Sequence, residues 1–156
     1  MTFNIDLSEF LDFAESMGVA ADALDDELGA TAFKVAQEGA RIAQGILASN
    51  GSVVTGDLYD SIQAQGGGMS GGVASASYGP TDDEPARWVE FGRGPVYARP
   101  GGALKFQIKG RGPYLYRKSV GPAPARPFMR PSVARLRPLA TKMFGEAVMR
   151  AISKAR

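Results

Sequence analysis

The chain has no cysteine and no histidine, and one tryptophan, Trp88, among its 156 residues. Without thiols there is neither a disulfide framework nor a thiolate nucleophile, which fits a reducing compartment. Without imidazole, the commonest general base and the commonest metal ligand are both missing. Nucleophilic catalysis would have to use Ser–Lys pairs or carboxylates, and no motif brings such groups together. The glycine-rich run at 66–72 lacks the lysine and the strand–loop–helix setting of a phosphate-binding loop. Asp82, Asp83 and Glu84 are adjacent acids with no further ligands at cation-binding spacing. No catalytic residue, cofactor or metal is therefore assigned, and an enzyme is not expected. No apolar run approaches the roughly 18 residues that span a bilayer, so no membrane partner is expected. The N-terminus carries Asp6 and Glu9 with no basic flank, unlike a signal peptide.

Acids are scarce in the second half and bases in the first. Residues 1–86 hold 14 acids against Lys34 and Arg41, a balance of −12, whereas residues 87–156 hold 16 bases against Glu90 and Glu146, a balance of +14. The net charge of +2 hides this division. Two arrangements satisfy it. Either the halves attract one another inside one fold, or the molecule has one acidic and one basic face. Copies would then stack head to tail, or the basic face would meet nucleic acid. Tyr97, Tyr114 and Tyr116 interleave with the bases, as in a nucleic-acid surface and equally in a solvated basic face.

The length is that of one domain, and the pattern along it is α+β. Asp6 and Glu9 have capping-box spacing before Leu7, Phe10, Leu11 and Ala14, which predicts a short helix within 1–18 that Gly18 ends. Leu24, Leu28, Val35, Ile42 and Ile46 recur at helical steps and predict a long helix over 20–49. Gly29, Gly39 and Gly45 inside it mark close approach of another backbone. Thr55 is a candidate N-cap for a turn in which Leu58 and Ile62 form an i, i+4 pair. The run at 66–72 reads as a long flexible hairpin connection, and 73–78 as a strand. Residues 79–85 read as an acidic loop and 93–102 as a flexible loop. Residues 103–108 and 114–119 form a hairpin through the Gly-Arg-Gly-Pro link. Pro131 stands where an N1 proline would, opening a last helix to about Ser153 that Pro138 should kink. Its apolar face is Val133, Leu136, Ala140, Met143, Phe144, Ala147, Val148 and Ile152. The whole is a small antiparallel sheet packed by a long N-terminal and a C-terminal helix.

Between the acidic and basic parts lies WVEFGRG (88–94). Trp88 and Phe91 at i and i+3 share a face of one helical turn, closed by a glycine C-cap, and with Val89 read as packing residues. Glu90 points elsewhere and reads as the ion-pair partner of an arginine, with Arg126 the first candidate.

Three stretches, TGDLYDSI (55–62), WVEFGRG (88–94) and ARPFMRPSV (125–133), occur in this order in a family that the chain resembles. These are the neck or tail-completion proteins of long-tailed bacteriophages, also described as head–tail joining or minor tail components. Thr55, Gly56, Leu58, Ser61 and Ile62 match the first element. Val89, Glu90, Phe91, Gly92 and Gly94 match the second, with Trp88 before them. Arg126, Pro127, Phe128, Met129 and Pro131 match the third. One departure is plain: residues 79–87 separate Tyr78 from the second element, which directly follows a Tyr-Ala segment in the family pattern. The resemblance implies an α+β structural virion protein without catalytic activity or cofactor, needed for tail completion or head–tail joining. It would act in the virion neck, and in the host cytoplasm during assembly. Implied partners are further copies of itself in a ring, a hexamer before a dodecamer, with head-closure or connector proteins on one side and tail-terminator or tail-tube proteins on the other. In a ring each subunit shows different faces to its two neighbours, and the charge division would steer that contact. Arg93, Arg99 and Arg111 are candidates for the neighbour contact or for phosphates of DNA in the lumen, against the plain reading of solvated loop charge. The alternative function is a non-sequence-specific nucleic-acid-binding protein using the basic half.

Overall fold

The computed structural model describes residues 2–6, 8, 9, 12, 21–52, 56–81, 83–107 and 112–154. Its fold is α+β, with a long first helix, a small antiparallel sheet and a C-terminal helix. Helix α1 (Ala21–Ser49) buries Leu24, Leu28, Ala32, Val35, Ala36, Ala43 and Leu47, a stripe of three- and four-residue steps along one side. A helical turn, α2 (Asp57–Ser61), follows, and then strands β2 (Ile62–Ser70) and β3 (Val73–Pro80). With β1 (Thr2–Asp6) they make an antiparallel sheet in the order β1-β3-β2. Helix α3 (Asp83–Phe91) leads to the short strands β4 (Val96–Tyr97), β5 (Leu104–Phe106), β6 (Leu115–Arg117) and β7 (Ser119–Val120). Helix α4 (Met129–Lys154) ends the described chain. It packs on α1, which also lies across β2 and β3.

Every second residue of β3 is buried at Ala74, Ala76 and Tyr78, the alternation of a strand with one face on the core. Leu24, Leu28, Leu47, Ile62 and Phe128 are each at most 2% exposed. Complete burial contributes about 1.5–3 kcal/mol for each such side chain. Of the face expected on α4, Leu136, Ala140, Phe144, Ala147 and Val148 are buried, and Val133, Met143 and Ile152 pack at its margin.

The structure corrects several expectations. Residues 66–72 are not a long loop: β2 runs to Ser70, and only Gly71 and Gly72 lie between its pairing with β3 at Ser70 and Val73. Both have positive φ, at 56° and 78°, as a two-residue hairpin turn requires. α1 also crosses the middle of this run closely. A Cβ on Gly29 would stand 3.2 Å from Gly68 Cα, and one on Gly67 would stand 2.7 Å from Phe33 Cβ. Of the other α1 glycines, Gly39 makes room for the Tyr78 ring and not for a backbone, and Gly45 faces open space.

Residues 93–102 are likewise tied down. Arg93 and Ala123 exchange two backbone hydrogen bonds, β4 pairs with β7, and Ala98 donates to the Lys118 carbonyl. β5 and β6 form the expected hairpin, with 108–111 of its connection outside the described residues. The stretch expected as an acidic loop is shorter, because β3 extends to Pro80 and α3 begins at Asp83. At the N-terminus, residues 2–6 are not helical but pair with 73–77 of β3, since an extended segment there completes a sheet that β2 covers on one side only. Residues 8, 9 and 12 are helical, and the rest of the expected short helix lies outside the described residues. Finally, α4 starts two residues before Pro131 and continues through Pro138.

Candidate functional site

The second and third family-like stretches interlock where α3 meets the start of α4. Gly92 has φ 74°, the left-handed conformation that ends a helix, and a Cβ there would meet the Ala123 carbonyl oxygen and the Ala125 nitrogen at 2.8 Å. Only glycine lets the returning chain pass this close. That chain is then fixed by the Arg126 N–H donating to the Val89 carbonyl at 2.8 Å.

Glu90 sits at the centre and is 8% exposed. Its Oε2 accepts the backbone N–H groups of Phe128 and Met129 at 2.7 and 2.9 Å, and its Oε1 accepts that of Arg130 at 3.1 Å. These are orphan donors at the N-terminus of α4, where the helix dipole also favours an anion. Glu90 is therefore a helix cap supplied by a different helix, and not the ion-pair partner of Arg126. The arginine serves the opposite kind of end. Its Nη1 donates to the carbonyl oxygens of Asn50 and Gly51 at 3.2 and 3.5 Å, just beyond α1, whose last turn has no basic residue of its own. Asn50 returns a bond from Nδ2 to the Pro127 carbonyl at 3.1 Å. One acid and one base thus satisfy the start of the last helix and the end of the first.

This geometry overturns the packing role of the aromatics. Trp88 is 46% and Phe91 59% exposed, while Ala86 and Glu90, four residues apart, face inward. The two aromatics do share a face, and it is the outer one. Val89 is half-buried against the core. The Arg130 guanidinium lies 5.1 Å from the Phe91 ring centre, a cation–π contact at the surface. Beside it Pro80, Ala86, Arg87, Glu90, Phe91 and Arg130 line an open hollow of about 430 Å³.

Of the first stretch, Thr55 lies outside the described residues, so its capping role is not placed. Gly56 holds φ 98° before α2, Leu58 packs at the core margin, and Ile62 is buried. The Ser61 hydroxyl donates to the Leu58 carbonyl at 2.8 Å. Gln44 of α1 anchors the stretch, donating from Nε2 to the carbonyls of Tyr59 and Ile62 at 3.1 and 3.2 Å. Sequence reasoning missed Gln44, as it missed the buried Tyr78 hydroxyl 2.9 Å from the Ser132 hydroxyl. Ser132 in turn donates to the Met129 carbonyl. Burial raises the Tyr78 pKa, and the Ser132 bond opposes that rise. The only hint of Tyr78 in the sequence is Gly39, whose missing side chain leaves space for the ring.

Arg93 is half-buried at the base of the ribbon made by β4–β7, Arg99 is exposed farther along it, and Arg111 lies outside the described residues. Across the two halves of the chain, the ion pairs among the described residues gather on Glu27, which meets Arg150 at 3.5 Å and Lys154 at 2.5 Å. The hydrogen bond from Lys154 is the main cause that holds the Glu27 carboxyl below its ordinary pKa, with Arg150 adding to it. Among the described residues, Glu27 is thus a point where the acidic half meets the basic one. Among the described residues no three acids cluster as metal donors, and no helix is long and apolar enough to cross a membrane. Comparison with known protein families, characterised protein sequences and solved structures finds no match.

Proposed function

We propose that this chain is a structural component of a phage neck, assembling as a ring of identical copies, six before twelve, where head joins tail. The observation that carries the reading is the interlock itself. The second and third family-like stretches are 31 or more residues apart, and their residues Glu90, Gly92 and Arg126 join the ends of two long helices. Those residues are spent on fastening a scaffold, which suits a part whose work is to hold shape between neighbours. The division of charge along the sequence supports the same reading, since opposite faces on one subunit would favour a heterologous, ring-closing contact. In this role the chain performs no chemistry and needs no cofactor. Its partners are a head-closure or connector protein on one side and a tail-terminator or tail-tube protein on the other.

A second reading, retention of nucleic acid without sequence preference, is favoured by one observation. Tyr97, Tyr114 and Tyr116 are 70%, 53% and 61% exposed on the same basic ribbon. Co-expression with the portal and tube proteins of the encoding phage, followed by mass spectrometry of purified particles, separates the two. Ring-stoichiometric incorporation is expected. A monomer that ignores both components, is missing from particles and binds duplex DNA with a steep salt dependence overturns the neck reading.

A further inference from the structure

We infer that the ribbon formed by 93–107 and 112–123 is an arm that each copy lays on the acidic end of α1 in the next copy. The inference rests on the ring proposed above and names its contact.

The ribbon leaves the body and pairs with itself. β4 pairs with β7 and β5 with β6, and neither pair packs extensively on the helices or the three-stranded sheet. No Asp or Glu occurs between Glu90 and Glu146. Arg99, Arg117 and Lys118 are exposed, with no carboxylate partner among the described residues. Charge alone would suit phosphates as well as protein, but the register of the strands decides between them. Leu104 lies opposite Arg117 and Phe106 opposite Leu115, so Leu104, Phe106, Leu115 and Arg117 share one face. Lys105, opposite Tyr116 and stacked 4.0 Å from the Tyr114 ring centre, is on the other. A phosphate backbone offers nothing to the apolar part of this face, whereas a protein surface with carboxylates at its margin satisfies Leu104, Phe106, Leu115 and Arg117 together.

The body carries such a surface. Asp25, Asp26, Ala30, Gly67, Gly68 and Met69 border a hollow of about 300 Å³ between the first turns of α1 and β2. Neither aspartate meets a cation among the described residues, unlike Glu27 beside them. The hollow is open where Gly68 brings no side chain, since a Cβ there would meet nothing within 4 Å. β2 is also the edge of its sheet, so no strand among the described residues pairs with its outer side. A cationic, partly apolar two-stranded arm fits this place in charge and in kind. The same chain supplies both halves of the contact, as a head-to-tail ring needs.

The test uses two charge reversals in the full chain, Arg99→Glu with Arg117→Glu on the arm and Asp25→Lys with Asp26→Lys on the body. Self-association is followed by native mass spectrometry and light scattering at low ionic strength, with circular dichroism confirming the fold. Each reversal alone weakens assembly by about tenfold or more. An equal mixture of the two restores it, because each arm then meets a complementary body. A second measurement exploits the absence of native cysteine: Tyr116→Cys combined with Ala30→Cys yields a crosslinked ladder of multimers, and either substitution alone does not. The inference is overturned if reversal leaves assembly intact, if mixing fails to restore it, or if the wild-type chain stays monomeric and gives no ladder. It is also overturned if arm reversal abolishes only retention of duplex DNA. Presence of the protein in particles despite any of these results would leave the neck reading standing and remove only this contact.

Discussion

Replacing Glu90 by Gln changes almost no volume and removes one charge from the most constrained point of the molecule. In its better amide orientation the Gln oxygen keeps the two short bonds to Phe128 and Met129. Its NH2 group then faces the N–H of Arg130, a donor against a donor, where the carboxylate had accepted at 3.1 Å. Loss of one charge-assisted bond costs about 1.5–3 kcal/mol. Loss of the anion at the α4 N-terminus adds about 0.3–1 kcal/mol. The total is about 2–4 kcal/mol, and in a chain of this length each kcal/mol moves Tm by about 2–4 °C. Melting followed by circular dichroism should therefore fall by roughly 4–16 °C, with the urea m-value unchanged. Arg126→Ala should cost less, about 1 kcal/mol, since it removes only the bonds to the carbonyls beyond α1 and leaves Glu90 fully bonded. A Glu90→Gln variant melting within about 1 °C of wild type would refute the capping account.

The glycines give an internally controlled set. Gly45→Ala faces open space in a helix interior and should raise stability by about 0.5–1 kcal/mol. Gly39→Ala would set a Cβ 2.6 Å from the buried Tyr78 ring and should lower stability by about 1–3 kcal/mol in the same denaturant titration. Gly92→Ala combines a left-handed φ with backbone contacts at 2.8 Å and should lower Tm further than Gly39→Ala. Because Glu27 has a depressed folded-state pKa, its contribution is present above the unfolded value and is lost as pH falls through the folded one. Glu27→Gln should therefore flatten the acid side of a Tm–pH profile, by less than about 1 kcal/mol since Arg150 and Lys154 are largely exposed. Tyr78 shows the opposite sign on the alkaline side. Its raised pKa adds stability that is complete below the unfolded value and is lost as pH rises through the folded one.

Both long helices were legible in the sequence, because their apolar residues recur at three and four steps over more than twenty positions. The β5–β6 hairpin was legible from its alternation and glycine link. The glycine run was misread because its composition alone suggests a loop, whereas its purpose is to let α1 pass across a strand, a fact held jointly by Gly29, Phe33 and Gly68. β1 went unseen for a related reason: five residues have no periodicity to speak of, and their strand exists only by pairing with β3. At the candidate site, the residues that the sequence marks have other neighbours than their types suggest. Trp88 and Phe91 look like core by hydrophobicity and Glu90 like surface by charge, yet burial runs the other way. A carboxylate can be inside here because three backbone donors, 38–40 residues further on, take the place of water. No local pattern in the chain encodes that distant arrangement.

The paired hydrogen bonds between Arg93 and Ala123 mean that the chain departs from the body and comes back at almost the same spot. Whatever is strung between those two residues is bounded by a closed gate, and the entropy of a loop grows only slowly with its length once its ends are pinned. Related sequences could therefore shorten, lengthen or replace this excursion while keeping the same helices and sheet. For the protein engineer it is the natural place to insert a tag or a reporter.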